Sequence, residues 1–504
     1  MKKFLPIIIV VLFAVFIFSF KLLSNPPSLE TDEGSIAYNS ALISKNLRDQ
    51  NNRFLPFFIL SSDKIDWKQP VLIYTTAIFF KIFGISLPVY KLVNVFISLT
   101  AVILFFYLLK IIFKDYLYAI IGTLTLITTP IVIITTRIGN ESILPLFFST
   151  LWLLSLLLFR NKNQFKFIVI NALTLGIGFY SFKGMRIIIP IWTIISCFFI
   201  FFQNIFDIKS KNIFLSIKKT LLNHKFLTQI ITFILIIVPF FLIIPILENK
   251  YAGSIFDRQT ISVSSIHSFF FYWLSNLSLP FWFTTPDIGK IYLVEPFGAI
   301  LLTVLPFFIV GIIESVKKKS IYSFILLCFI STPFLFSIAH SINYTHRLIA
   351  SIPFIIIIFT FGIKSFFGKI KINKNKKIIF TLLIGIFLID FLTFFKFYYF
   401  KYPKLNTTKA SFGQTTHTAF KLLAEESQTK KLTPYVQESI YKSEGDENNF
   451  YNIAYFNNSI KIWKLGDSLP SNVILLTQNG SMEKFNKLDF KNLPSDLNIL
   501  VSQK

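Results

Sequence analysis

The first segment whose side chains could carry out a reaction follows an apolar run near the N-terminus. It reads LETDEGSIAYNSAL at residues 29–42. It contains two adjacent carboxylates, Asp32 and Glu33, followed by Tyr38. One explanation is structural, because Asp32 or Thr31 can cap a helix whose macrodipole Glu33 then complements. The other is chemical, because a helix start also fixes a carboxylate rigidly enough for proton transfer. The segment alone leaves both explanations open.

A lysine stands later in the same inter-helix segment, where Lys68 lies in the sequence DWKQP. A lysine beside an apolar run can simply extend its ammonium to the membrane interface. It is also a compact positive charge of the kind that binds phosphate. Both roles fit Lys68 by itself.

Three short turns between apolar runs concentrate charged and aromatic side chains. They read TTRIGNE at 135–141, YSFKGMR at 180–186 and HSINYTHR at 340–347. Charge at a membrane boundary is costly unless it is paired or used, so Arg137 and Glu141 either pair or act on a substrate. A single interfacial histidine is more often structural, but three such turns together predict a site. Its candidates are Arg137, Glu141, Tyr180, Lys183, Arg186, His340, Tyr344, His346 and Arg347.

These residue types suit one class of chemistry. Carboxylates can accept a proton from a hydroxyl or hold a divalent metal ion, and lysine and arginine can hold a phosphate group. A carboxylate that deprotonates an acceptor hydroxyl, beside cations that stabilise a departing phosphate, would transfer a glycosyl group from a lipid-phosphate sugar. Metal dependence stays open, because carboxylates can act with or without an ion.

The composition predicts a membrane protein with several spans. Of 504 residues, 54% are hydrophobic and 15% are charged, whereas a soluble chain carries about 25% charged residues. The net charge of +25 lies in lysine clusters between apolar runs and lacks the aromatic-basic modules that bind nucleic acid. Cys197 and Cys328 lie inside apolar runs and predict neither a disulfide framework nor a metal cluster.

Apolar runs of about 20 residues predict membrane spans. The first run is predicted to be an uncleaved anchor with a cytoplasmic N-terminus, because no small-residue cleavage site precedes Asn25. About eleven spans are predicted, at 4–23, 88–113, 116–136, 143–159, 165–180, 187–203, 227–247, 296–313, 321–339, 347–367 and 378–398.

The lysine-rich loops then alternate with acidic ones, as the positive-inside rule requires. Loops such as 209–225 and 364–377 are predicted to be cytoplasmic. The outer face is predicted to receive the loops 25–87 and 248–295 and the tail from about residue 399. The acid pair, Lys68 and the three charged turns all fall on that face.

The predicted fold is an all-α polytopic membrane protein with interfacial helices in the first outer loop, where 71–83 is amphipathic. After Pro403 the composition becomes polar, with strand-like runs at 471–477 and 496–502 and a helical pattern near 416–426. We therefore predict a membrane domain at 1–400 and a small extracytoplasmic α/β domain at 401–504.

The pattern NPPSLETDEGSIAYNSAL, followed by Asp49, Leu55-Pro56 and Lys68-Gln69-Pro70, resembles bacterial GT-C glycosyltransferases. The similarity is to the group of dolichyl-phosphate-mannose protein mannosyltransferases and lipid A aminoarabinose transferases. It covers roughly residues 1–400 and implies a GT-C fold, transfer with inversion and no covalent intermediate.

The resemblance also implies roles for particular residues. Asp32 would be the catalytic base, Glu33 would support it or a metal ion, and Glu141 would help form the acceptor or metal site. A metal ion, if one is used, would be held by Asp32 and Glu141; no other cofactor is expected. Lys68 would contact the donor phosphate. Looser matches add further cations around that phosphate and further side chains around the substrate: Arg137, Lys183, Arg186, Arg347, Tyr38, Tyr180 and His346.

The leading hypothesis is thus a multi-pass plasma- or inner-membrane glycosyltransferase whose site faces away from the cytoplasm. Its partners would be a polyprenyl-phosphate sugar and an acceptor hydroxyl on protein, lipid or glycan, with no nucleic acid. An O-antigen ligase or polymerase would be expected to use arginine and histidine rather than an acid pair. A lipid-linked sugar flippase or transporter would place its ionisable groups at mid-membrane.

Overall fold

The structure is a computed structural model of the chain. It describes residues 5–61, 64, 66–206, 218, 222–256, 265–285, 291–292, 294–318, 320–337, 345–370, 373–443, 445–478, 480–482, 484–490, 493 and 496–502. His340 and Tyr344, two of the predicted turn residues, lie outside the described residues.

Helices dominate the described chain. They are α1 (Leu5–Ser19), α2 (Thr31–Asn46), α3 (Pro70–Phe83), α4 (Leu87–Phe113), α5 (Tyr116–Thr128), α6 (Pro130–Arg137), α7 (Leu144–Lys162), α8 (Phe165–Phe179), α9 (Lys183–Phe206), α10 (His224–Leu242), α11 (Ile244–Lys250), α12 (Ile266–Leu277), α13 (Leu279–Phe283), α14 (Leu305–Lys317), α15 (Ile321–Ser331), α16 (Ile352–Lys369), α17 (Asn373–Lys396), α18 (Asn406–Ser411), α19 (Gln414–Lys430), α20 (Glu438–Ser443) and α21 (Asp446–Phe456).

Every predicted span overlaps an apolar helix, but the number of crossings is a separate matter. In the described residues, six helices are long and apolar enough to cross a membrane, and up to eight spans result if each of two bent helix pairs is one. The first pair, α5 and α6, bends by 56° at Thr129, next to Pro130, which cannot donate the helical hydrogen bond. Helices α1 and α8 have 15 residues each, fewer than the roughly 20 that a crossing takes. The predicted count of about eleven therefore stays a prediction.

The contacts between Cα atoms divide the chain into two compact units. The helical unit comprises Met1–Phe20, Val95–Thr136 and Glu141–Lys396. The mixed unit comprises Lys21–Asn94, Arg137–Asn140 and Phe397–Lys504. The predicted division into domains 1–400 and 401–504 remains a prediction.

Small residues and stacked indoles pack the helical unit. A Cβ at Gly311 of α14 would collide with the backbone of Ile358, and one at Gly362 of α16 would collide with the backbone of Phe307, so these helices approach closely. The buried ring of Trp152 in α7 stacks on Trp192 in α9, with centroids 4.4 Å apart. Such close packing is how apolar helices associate where lipid removes the hydrophobic driving force.

The mixed unit contains the strands. A two-stranded ribbon pairs β1 (Ile59–Leu60) with β2 (Trp67–Lys68), antiparallel. A five-stranded mixed sheet has the order β4-β3-β5-β7-β6, formed by β3 (Thr433–Gln437), β4 (Lys461–Trp463), β5 (Val473–Thr477), β6 (Phe485–Leu488) and β7 (Asn498–Ser502). The predicted strands at 471–477 and 496–502 and the helix near 416–426 are confirmed by β5, β7 and α19.

Candidate functional site

The acid pair lies in the first turn of α2. Glu30 is the N-cap, and Glu30 and Glu33 form a capping box in which the Glu33 side chain accepts from the Glu30 backbone N–H at 3.0 Å. Negative charge here is stabilised by the helix macrodipole. Glu30 and Glu33 therefore cap α2, and not Thr31 or Asp32 as the sequence predicted. The Asp32 side chain contacts a different partner.

That partner is Lys68. Its ammonium donates to the Asp32 carboxylate and, at 2.9 Å, to Oδ2 of Asp66. The β1–β2 ribbon sets this geometry, because alternation along an extended strand places Asp66 and Lys68 on one face. The Lys68 side chain is 6% exposed and the Asp32 side chain 50%. A buried cation thus holds a carboxylate that reaches solvent.

Neighbouring charges shift two pKa values in this cluster. Burial alone would lower the pKa of Lys68, but Asp32 and Asp66 outweigh it and the pKa is raised. Burial, followed by repulsion from Asp32 and Glu33, raises the pKa of Glu30 to about 8. Lys68 therefore stays charged at neutral pH, whereas Glu30 stays largely protonated.

Glu33 has a different environment from its neighbour. Its side chain is fully buried and pairs with Lys91 of α4, whose side chain is 2% exposed. The carboxylate also accepts from the backbone N–H of Gly139. A group with no exposure cannot meet an acceptor hydroxyl, so Glu33 supports the site from inside.

Arg137 is also enclosed by protein. Its guanidinium is fully buried and donates to the Asn25 carbonyl, from Nε at 2.9 Å and Nη2 at 2.6 Å, and from Nη2 to the Lys21 carbonyl at 2.7 Å. It lies 4.8 Å from the ring centroid of Tyr399. These contacts tie the 137–140 turn to the segment before α2, and the predicted donor-phosphate role of Arg137 remains a prediction.

Tyr38 lies about one and a half helical turns after the acid pair and is half-buried. Burial raises the pKa of its phenol, with Tyr441 and Asp446 adding to the shift. The phenol therefore lies near the start of α21, and its predicted contact with substrate remains a prediction.

The other predicted site residues belong to the helical unit. Glu141 begins a short 3-10 helix and is 9% exposed. Tyr180 donates to the Phe240 carbonyl at 2.5 Å, and Arg186, three residues after Lys183 at the start of α9, donates to the carbonyls of Ser254 and Ile255. His346 stacks on Tyr292 with centroids 4.0 Å apart, and Arg347 is exposed. Their relation to substrate remains a prediction.

The predicted metal pair, Asp32 and Glu141, also stays a prediction. Among the residues that the structure describes, no group of three or more His, Cys, Asp and Glu side chains could hold a metal ion. At Asp32 the cation next to the carboxylate is the ammonium of Lys68.

Asp66 and Lys91, which pair with the acids of α2 or with Lys68, were not predicted as site residues. Each nevertheless has a recognisable feature in the sequence. Asp66 stands two positions before Lys68, the spacing that puts side chains on one face of a strand. Lys91 lies inside the predicted span 88–113, and a charge within a span indicates a buried partner or a function. Its partner, Glu33, is 58 residues away, so only the fold could identify the pair.

The helices and the small sheet form an ArnT-like GT-C fold. The structure of ArnT from Cupriavidus metallidurans bound to undecaprenyl phosphate matches with a TM-score of 0.56 and 11% identity, over 98% of this chain and 97% of that chain. The archaeal oligosaccharyltransferase AglB from Archaeoglobus fulgidus, in complex with an inhibitory peptide and a dolichol-phosphate, matches with a TM-score of 0.48 and 13% identity, over 91% and 65%. No protein-family model matches the sequence, and no curated protein sequence matches it.

Proposed function

We propose that the chain transfers a glycosyl group from a polyprenyl-phosphate-linked donor to an acceptor hydroxyl, with Asp32 as the general base. The observation that carries this proposal is the half-exposed Asp32 carboxylate held by the buried ammonium of Lys68. The ArnT neighbour, which shares the fold, was solved bound to undecaprenyl phosphate, and this supports a lipid-phosphate donor.

The cluster accounts for each part of the reaction. Asp32 takes the proton of the acceptor hydroxyl while the hydroxyl oxygen attacks the anomeric carbon. The bond between that carbon and the phosphate oxygen breaks on the opposite side, so the anomeric configuration inverts. The electron pair leaves with the phosphate, and Lys68 neutralises the charge that develops there.

Lys68 can serve both groups because an ammonium has three N–H donors. Within the described residues, two contacts are made, to Asp32 and Asp66, and the third donor suits a phosphate oxygen. Asp66 keeps the ammonium in place when Asp32 becomes protonated.

Further roles are proposed for the predicted site residues in the helical unit. Glu141 would help form the acceptor or metal site, Lys183, Arg186 and Arg347 would bind the donor phosphate, and Tyr180 and His346 would contact the substrate. The site would face the extracytoplasmic side of the cell membrane, as the distribution of lysines predicts.

The test is transfer by proteoliposomes that contain the purified chain. A panel of undecaprenyl-phosphate-linked hexoses and pentoses is supplied with an envelope extract, and released undecaprenyl phosphate and glycosylated product are measured by mass spectrometry. We expect wild-type protein to release lipid phosphate and Asp32→Asn to lose about 10²–10⁴-fold in rate, with equal yield of folded protein. Full activity of Asp32→Asn would refute the base assignment, and passage of intact donor across the bilayer without release would indicate a transporter.

A further inference from the structure

We propose that Glu33 is a positioning residue, whose buried ion pair with Lys91 fixes the first turn of α2 and thereby the direction of the Asp32 carboxylate. This inference rests on the proposed function. It gives the two adjacent acids separate tasks: Asp32 exchanges the proton, and Glu33 never meets substrate.

The contacts of Glu33 use both oxygens of its carboxylate. Oε1 accepts from the ammonium of Lys91 and from the N–H of Gly139. Oε2 accepts from the backbone N–H of Glu30 at 3.0 Å. One buried side chain therefore joins three segments: the start of α2, the start of α4 and the 137–140 turn.

The turn is built to approach this carboxylate. A Cβ at Gly139 would lie 2.6 Å from Cε1 of Tyr90 and 2.8 Å from Oε1 of Glu33, closer than real Cβ contacts allow. The Tyr90 hydroxyl lies 2.6 Å from the Gly139 carbonyl oxygen and 3.0 Å from that of Glu33. The absence of a side chain at Gly139 is thus what permits the N–H to reach Glu33.

Helix α4 holds the turn from its other side. The side-chain amide of Asn94 donates to the carbonyls of Ile138 at 2.8 Å and Asn140 at 3.0 Å. Lys91 itself lies 3.3 Å from the Arg137 carbonyl. These contacts hold the backbone of the 137–140 turn against α4, and the Glu33 carboxylate links that turn to the first turn of α2.

Burial explains why the Glu33–Lys91 pair positions Asp32 and does not itself react. The side chains of Glu33 and Lys91 are 0% and 2% exposed, whereas that of Asp32 is 50% exposed. Loss of either partner leaves an uncompensated buried charge, which the structure relieves by moving or by admitting water. Asp32 follows directly, because its Cα belongs to the same helical turn as that of Glu33.

The experiment compares Glu33→Gln, Lys91→Met and the double variant. The first readout, independent of activity, is hydrogen–deuterium exchange of peptides covering 30–36 and 138–140. We expect exchange at least tenfold faster in each single variant and near wild-type exchange in the double variant, in which no buried charge is left unpaired. Lys81→Ala, on the exposed face of α3, is the matched control and should leave exchange unchanged.

The second readout is the kinetics of transfer at a temperature where all variants are folded. We expect kcat to fall 10–100-fold in each single variant, with the donor KM within about threefold because Lys68 is untouched, and the double variant to recover to within tenfold of wild type. A double variant that regains stability but stays as inactive as Asp32→Asn would show that Glu33 itself reacts. Single variants with wild-type kcat would show a purely structural pair. If wild type transfers no sugar, the exchange results still decide whether the pair fixes the turn.

Discussion

The carboxylate of Asp32 accepts a hydrogen bond from the ammonium of Lys68, 36 residues further along the chain. The two groups meet in opposite environments, since the Lys68 side chain is 6% exposed and that of Asp32 is 50%. A charge-assisted hydrogen bond of this kind is strong. It fixes the orientation of the Asp32 carboxylate, which we propose as the base, and holds a cation beside it that we propose to neutralise the departing phosphate.

Replacement of Lys68 by alanine is therefore expected to weaken donor binding. A hydrogen bond to a charged group contributes about 1.5–3 kcal/mol, so we expect the KM for an undecaprenyl-phosphate sugar to rise roughly 10–150-fold. The measurement is the release of undecaprenyl phosphate as a function of donor concentration. The matched control is Lys81→Ala, which removes an exposed lysine from α3.

The variant Asp66→Asn separates the two acids that hold Lys68. It removes one anchor at 2.9 Å and leaves the contact to Asp32, so we expect a smaller rise in KM than in Lys68→Ala. If Lys68→Ala left donor binding unchanged, Lys68 would be only an interfacial lysine. If Asp66→Asn lowered the rate of transfer as much as Asp32→Asn does, Asp66 would be the base.

Local patterns in the sequence predicted the first turn of α2, the amphipathic helix α3 and the strands β5 and β7, because each depends on neighbours in the chain. The pairing of Glu33 with Lys91 could not be predicted, because it joins segments 58 residues apart. The guanidinium of Arg137 had the right chemistry for phosphate but binds backbone carbonyls. Only the fold determines whether such a group faces substrate or protein.

Glu30 is expected to make the stability of the protein fall as the pH rises. The pKa of its carboxyl is raised from 4.5 to about 8 by burial and by Asp32 and Glu33. Below pH 4.5 both states are protonated, and between pH 4.5 and 8 the folded state keeps a proton that the unfolded chain loses. The unfolded state then binds fewer protons, so the free energy of unfolding decreases with pH over that range.

The measurement is Tm in detergent at several values between pH 5 and pH 8, for wild type and Glu30→Gln. Other titrating groups contribute to both proteins, so the difference between the curves isolates Glu30. We expect the variant to gain stability relative to wild type as the pH rises. The exposed acid of Glu425→Gln serves as control, and parallel curves for wild type and Glu30→Gln would contradict the raised pKa.

Gly34, directly after the acid pair, is where α2 meets the C-terminal part of the chain. A Cβ at this position would lie 2.8 Å from Cδ and 2.9 Å from the backbone N of Glu447 in α21. Nearby, the hydroxyls of Ser28 and Tyr451 are 2.7 Å apart, and the rings of Phe80 and Phe450 stack at 6.0 Å. Helix α21 thus packs on the helix that carries Asp32, and at Gly34 the contact leaves no room for a side chain.

We expect Gly34→Ala to push α21 away, because backbone cannot yield as a flexible side chain can. Overpacking of this kind costs about 1–3 kcal/mol, which should lower Tm and also slow transfer, since the displaced helix covers the turn that holds Asp32. The matched control is Gly385→Ala in α17, where a Cβ would have no neighbour within 4 Å. Equal Tm and activity of the two variants would mean that α21 docks loosely. A loss of Tm in Gly34→Ala with unchanged kcat would mean that the C-terminal segment stabilises α2 without setting the geometry of its first turn.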